Sequence, residues 1–127
     1  MDNEPKKVLI AEDEKPLAKA LFLKLKSSGI DPTIVNDGEA ALSALKHSMF
    51  DLALLDLMMP KMNGFTVLEE AKKAGITTPF FVMSNLSQQE DVRRVESLGV
   101  KTYLIKSSTP LSQIVEKVLA YLAHPNT

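Results

Sequence analysis

No cysteine occurs in the 127 residues. That excludes a disulfide scaffold, thiolate zinc or iron–sulfur centres and thiol catalysis. Histidine occurs only at His47 and His124, which leaves a multi-histidine metal site without ligands. Neither sign of charge prevails: 15 Lys and Arg stand against 16 Asp and Glu, a net charge of -1. A direct nucleic-acid binder carries a basic footprint, and this chain has none. No apolar run approaches the roughly 20 residues that span a bilayer. The opening residues, Met1 to Lys7, are polar and lack the apolar stretch of a signal peptide. What is present is 45% hydrophobic residues, enough to bury a core, in a chain the length of one domain. The expectation is a soluble, cytoplasmic protein with no membrane insertion, a single domain over residues 1–127 with its core at about 6–123.

Five short apolar runs stand out: Val8 to Ile10, Thr33 to Val35, Leu52 to Leu55, Phe80 to Met83 and Tyr103 to Ile105. Each is too short for a helix, and most are continuous rather than alternating, as parallel strands covered on both faces should be. Helical periodicity lies between them. Leu17, Leu21 and Leu25 mark a first helix; Ala41, Leu42 and Leu45 a second; Phe65, Leu68 and Ala71 a third; Val92, Val95 and Leu98 a fourth. Leu111, Ile114, Val115, Val118, Leu119 and Leu122 make the clearest stripe, on a fifth. Ser87 to Glu90 reads as a capping box, Asn63 as the N-cap of the third helix, and Thr109 as an N-cap before Pro110 at the first helical position. Gly29, Gly75 and Gly99 stand where helices should stop. The tail from His124 to Thr127 is expected to fray. Strand and helix thus alternate five times. The expected fold is α/β, a flavodoxin-like doubly wound (βα)5 unit whose five-stranded parallel sheet has order 2-1-3-4-5.

The residues that follow the apolar runs are polar. Glu12 and Asp13 follow the first, Asp56 the third, Ser84 and Asn85 the fourth, and Lys106 the fifth. In this fold those positions share the edge beyond the carboxyl ends of the strands, where ligands bind. Singly, each has an ordinary explanation: helix-start acids in Glu12 to Glu14, a solvated strand-end Asp56, a turn residue in Ser84, a surface lysine in Lys106. Together they form a constellation. Three carboxylates in one crevice repel one another, and a hard divalent cation such as Mg2+ relieves that. Lys106 adds a movable positive charge. Such a site suits a phosphoryl group, with one carboxylate as nucleophile, the cation and Lys106 neutralising phosphoryl oxygens, and Ser84 donating a hydrogen bond.

These segments resemble the receiver domain of bacterial two-component response regulators over nearly the whole chain. Lys7 to Glu14 resembles that family's first strand and acidic pair. Asp51 to Gly64, with Pro60 and Gly64 in place, resembles its phosphoacceptor segment. Gly99 to Lys106 resembles the segment ending in its lysine. The resemblance implies Asp56 as phosphoacceptor and Mg2+ as cofactor. It implies that Asp13 ligates the metal directly, Glu12 through a water, with Asp56 and the backbone carbonyl of Met58 completing the protein ligands. It implies that Lys106 contacts the phosphoryl group, and that Ser84 and Tyr103 form a switch pair in which the hydroxyl moves onto the phosphoryl and the ring turns inward. Partners by resemblance are a sensor histidine kinase or phosphotransfer protein as donor. An effector or second copy then docks on the face of the fourth helix, fifth strand and fifth helix. The chain is expected to catalyse only its own phosphotransfer and dephosphorylation.

Two positions depart from the family pattern. Ser107, followed by Ser108, stands where proline is usual. A cis bond before a non-proline residue costs roughly 3–4 kcal/mol, so a trans or strained loop is expected. Asn85 stands where a small residue is usual, placed to bond the phosphoryl group or narrow access to it. A pseudo-receiver that binds proteins without phosphorylation is the competing reading; its signature is a lost Asp13, Asp56 or Lys106, and all three are present. A flavin binder would need a Gly-rich loop where Glu12 to Glu14 stand. An aspartyl phosphatase would need an Asp at Met58.

Overall fold

The structure is a computed structural model and describes residues 4–86 and 88–125. Strands and helices alternate: β1 (Lys7–Ala11), α1 (Lys15–Ser27), β2 (Asp31–Val35), α2 (Gly38–His47), β3 (Leu52–Asp56), α3 (Gly64–Lys73), β4 (Phe80–Ser84), α4 (Gln89–Ser97), β5 (Thr102–Ile105) and α5 (Leu111–Ala123). A 3₁₀ turn, Lys106–Ser108, lies between β5 and α5. All strand pairs are parallel, in the order β2-β1-β3-β4-β5. This is the expected doubly wound, flavodoxin-like sheet.

The continuous apolar runs serve two cores at once, because successive side chains point to opposite faces. Leu9, Ala53, Leu55 and Val82 pack against α2, α3 and α4. Val8, Ile10, Leu52, Leu54, Phe81 and Met83 pack against α1 and α5. The helices bury the faces their periodicity predicts, with local changes. α1 buries Ala18, Leu21 and Leu25, while Leu17 is only partly covered. On α4, Val95 alone is fully buried.

The capping chemistry holds in part. The Asn63 side chain accepts the Thr66 N–H at 3.0 Å, and Gly29, Gly75 and Gly99 all adopt positive φ. α5 begins one residue later than expected: Pro110 is the N-cap and Leu111 the first helical residue. Thr109 instead closes the 3₁₀ turn, so the turn after β5 consumes the residue expected to cap. The capping box involves Ser87, which lies outside the described residues; α4 has Gln88 as N-cap without a side-chain bond. His124 does not fray, since its N–H is bonded to the carbonyls of Ala120 and Tyr121. Asn126 and Thr127 lie outside the described residues.

Candidate functional site

The strands order the site. β1 and β3 are neighbours at the centre of the sheet, and the chain leaves them at Glu12 and just beyond Asp56. One carboxylate oxygen from each of Glu12, Asp13 and Asp56 lies within 4.8 Å of the others. Glu12 and Asp56 are buried and Asp13 is exposed. Backbone contacts fix the two buried groups. The Glu14 N–H donates to Glu12 Oε2 at 3.0 Å, Asn36 Nδ2 donates to the Glu12 carbonyl at 3.0 Å, and the Met58 N–H donates to Asp56 Oδ1 at 3.1 Å. Gly64 holds the segment after Asp56 tight: its N–H donates to the Leu57 carbonyl at 2.9 Å, and a Cβ there would sit 2.6 Å from the Asp56 carbonyl oxygen.

Lys106 joins the carboxylates. Its Nζ lies 3.2 Å from Asp56 Oδ2 and 2.9 Å from Glu12 Oε1, and it also pairs with Glu14. The approach to Glu12 is an ion pair without hydrogen-bond alignment, so the buried Oε1 has no aligned donor. Burial pushes Glu12 up to about 7, against the pull of the Glu14 N–H and Lys106. Burial likewise raises the Asp56 carboxyl, opposed by the Met58 N–H and Lys106. Burial works against the Lys106 ammonium, but the carboxylates of Glu14, Glu12 and Asp56 outweigh it and hold the lysine above its ordinary pKa.

An orphaned buried carboxylate oxygen, an exposed carboxylate and the phosphoacceptor candidate within one small sphere fit a hard cation that takes oxygen ligands and keeps several waters. Among the described residues this is the one such cluster. A cavity of about 220 Å³ opens over it, lined by Asp13, Glu14, Asp56, Met58, Asn85 and Lys106. A larger cavity of about 600 Å³ lies at the other edge of the sheet, among residues such as Thr77, Phe80, Glu96 and Lys101. That edge holds none of the clustered acids.

Ser84 ends β4 fully buried, and its Oγ accepts the Leu86 N–H at 3.0 Å. Its hydroxyl proton is thereby left to donate elsewhere. Tyr103 is half-buried on β5 and donates to the Leu86 carbonyl. Both members of the expected switch pair are thus bonded to Leu86. Burial raises the Tyr103 phenol; Ser84 opposes this, and Asp91 and Asp56 add to it. Asn85 is exposed, and its Oδ1 accepts the Ser107 N–H at 2.8 Å. No described peptide bond is cis, so Lys106–Ser107 is trans.

Three contributors gain their place at the site only in the fold. Glu14, read only with the helix-start acids, pairs with Lys106. Asn36 anchors Glu12 from the loop after β2. Gly38 lets the loop after β3 close over α2, since a Cβ there would lie 1.8 Å from the Met62 carbonyl oxygen. The signal for Glu14 was its place in an unbroken acidic run. Asn36 and Gly38 carry no local signal, because their partners lie far along the chain.

A doubly wound sheet with an acidic triad and a lysine at its carboxyl edge defines the architecture of receiver domains. This chain belongs to the response regulator receiver domain family of two-component systems, whose model matches residues 8–119. Among curated relatives, the transcriptional regulatory protein CiaR of Streptococcus pneumoniae is 39% identical over 100 residues, 79% of this chain and 44% of that protein. The Regulator of RpoS of Escherichia coli is 34% identical over 117 residues, 92% of this chain and 35% of that protein. The chain thus spans half or less of the length of these relatives. The solved Francisella response regulator 1452 receiver domain superposes with a TM-score of 0.86 at 29% identity, over 95% of this chain and 99% of that one. The phosphorylated cyanobacterial phytochrome response regulator RcpA gives 0.84 at 29% identity, over 97% of each chain.

Proposed function

We propose that this receiver domain is a phosphorylation-operated switch that accepts a phosphoryl group on Asp56 with Mg2+ bound beside it. The observation that carries the reading is the convergence of Glu12, Asp13 and Asp56 within 4.8 Å, with the Lys106 ammonium 3.2 Å from Asp56. Asp13 and Asp56 would ligate the metal, with the Met58 carbonyl, and Glu12 would act through a bound water. Bound there, Mg2+ supplies positive charge to the phosphoryl oxygens. Asp56 attacks phosphorus through a carboxylate oxygen. The O–P bond forms as the P–N bond of the donor phosphohistidine breaks, and the imidazole leaves with that electron pair. The Met58 N–H and Lys106 favour the Asp56 anion this attack needs, opposing the burial that favours its acid. Lys106 then exchanges a carboxylate partner for a phosphoryl oxygen, and the Ser84 hydroxyl donates to another.

The donor by this reading is a sensor histidine kinase or a phosphotransfer protein. The output is a change of the α4-β5-α5 face, read by an effector or a second copy of the chain. The domain is cytoplasmic and catalyses only its own phosphotransfer and dephosphorylation. Acetyl phosphate with intact-mass measurement tests the reading: one phosphoryl adduct is expected with Mg2+, none with EDTA, and none in Asp56→Asn. An adduct that persists in Asp56→Asn, or that ignores EDTA, overturns it.

A further inference from the structure

The first N–H groups of any helical turn lack partners within the turn. In the 3₁₀ turn that begins at Lys106, no side chain of the turn's own N-cap residue, Ile105, supplies one. The Ser107 N–H is instead taken by Asn85 Oδ1 at 2.8 Å, across 22 residues of sequence. The chemistry fixes the carboxamide's orientation, because a backbone N–H can bond only its oxygen. The two residues are the immediate successors of Ser84 and Lys106, the two phosphoryl-facing side chains outside the acid cluster. β4 and β5 pair side by side there, Ser84 opposite Ile105. A single hydrogen bond therefore ties the end of one strand's functional loop to the start of the next.

We propose that Asn85 is a positioning residue for Lys106: its carboxamide caps the turn at Ser107 and so holds Lys106 where its ammonium meets the group on Asp56. This rests on the reading of Asp56 as phosphoacceptor. Asn85 acts from outside, being exposed, and makes no described contact with Asp56, Glu12 or Lys106 itself. The ordered turn delivers the ammonium to an anion without first having to fold, which makes binding of that anion tighter.

The test uses beryllofluoride, a phosphoryl mimic, with Mg2+ on the parent, Asn85→Ala and Ser107→Ala. Asn85→Ala should weaken beryllofluoride binding about fivefold, the scale of one hydrogen bond. Ser107→Ala keeps the N–H and should bind as the parent does. Ser107 amide hydrogen exchange should quicken about tenfold in Asn85→Ala and return to the parental rate in Asn85→Asp, which keeps the acceptor. Mg2+ affinity, set by the acids and the Met58 carbonyl, should stay within about twofold of the parent. Parental beryllofluoride affinity in Asn85→Ala, or an equal loss of Mg2+ affinity, overturns the positioning role. A parent that binds no beryllofluoride overturns the phosphoacceptor reading and this inference with it.

Discussion

Glu12 is fully buried, yet it belongs to the acidic cluster that could hold a cation. Its carboxyl is raised from 4.5 to about 7, so the folded protein binds a proton there that the unfolded chain releases. Its contribution to stability is therefore complete below about pH 4.5 and is lost as pH rises through about 7. Asp56 is shifted in the same direction. In EDTA, Glu12→Gln should gain on the parent in melting temperature between about pH 5 and pH 8, read by scanning calorimetry. By the proposed reading Mg2+ takes the place of the proton, so it should raise the parent's melting temperature more at the higher pH. A larger Mg2+ effect at the lower pH contradicts the assignment. Lys106 neutralises two buried carboxylates, so its loss should carry a structural cost. In EDTA at neutral pH, Lys106→Ala should lose about 1–3 kcal/mol, measured by urea unfolding, while keeping its far-UV circular dichroism. An unchanged unfolding midpoint would show that the ammonium does not balance these acids. Asp56, Glu12, Asp13 and Lys106 were legible because strand ends are legible and the fold places them on one edge. The Lys106–Glu14 pair was not, because it depends on the reach of two flexible side chains 92 residues apart.

At the scale of elements, the loop after β3 is the most tightly fitted part of the site. Gly64 sits against the backbone of Asp56 and Leu57, where a Cβ has no room. Gly64→Ala should shift the phosphoacceptor segment and cost about 1–3 kcal/mol by overpacking; thermal unfolding reads the loss, and an unaltered melting temperature contradicts the fit. The sequence signal here was strong, because Asn63 and Gly64 cap α3 and close the loop together. α4 is the opposite case. Only Val95 is fully buried, and Arg94 ties the helix to α3 by stacking 4.3 Å over the Phe65 ring and pairing with Glu69 at 3.3 Å. Arg94→Ala should speed amide exchange across α4 more than across α5, whose Ile114, Val115, Val118 and Leu122 are all buried. Equal effects on both helices would show that Arg94 does not hold α4. The α4 stripe was visible in the sequence, but its shallow packing was not, since periodicity reports which face turns inward and not how deeply it sits. The start of α5 was misplaced by one residue because Thr109 and Pro110 satisfy a capping rule locally, while the 3₁₀ turn that claims Thr109 is set by the end of β5.

For the whole molecule, the parallel sheet links the site at its carboxyl edge to the helices on its faces. Ser84 and Tyr103 both bond Leu86, so the loop into α4 is held from β4 and from β5 together. A hydroxyl drawn toward a new phosphoryl charge must leave its present arrangement, and packed elements answer by moving between discrete states. The strand order was legible from five apolar runs alternating with helical stripes, because right-handed crossovers leave few topologies open. The bonding of Leu86 was not, since its partners act through its backbone, which carries no residue-type signal. The central claim is that a phosphoryl group on Asp56 resets the α4-β5-α5 face, and amide chemical shifts with Mg2+, before and after beryllofluoride, test it most directly. Large shifts through residues 85–110, absent in Asp56→Asn, are predicted. Shifts confined to the immediate neighbourhood of Asp56, with residues 85–110 unmoved, would contradict it.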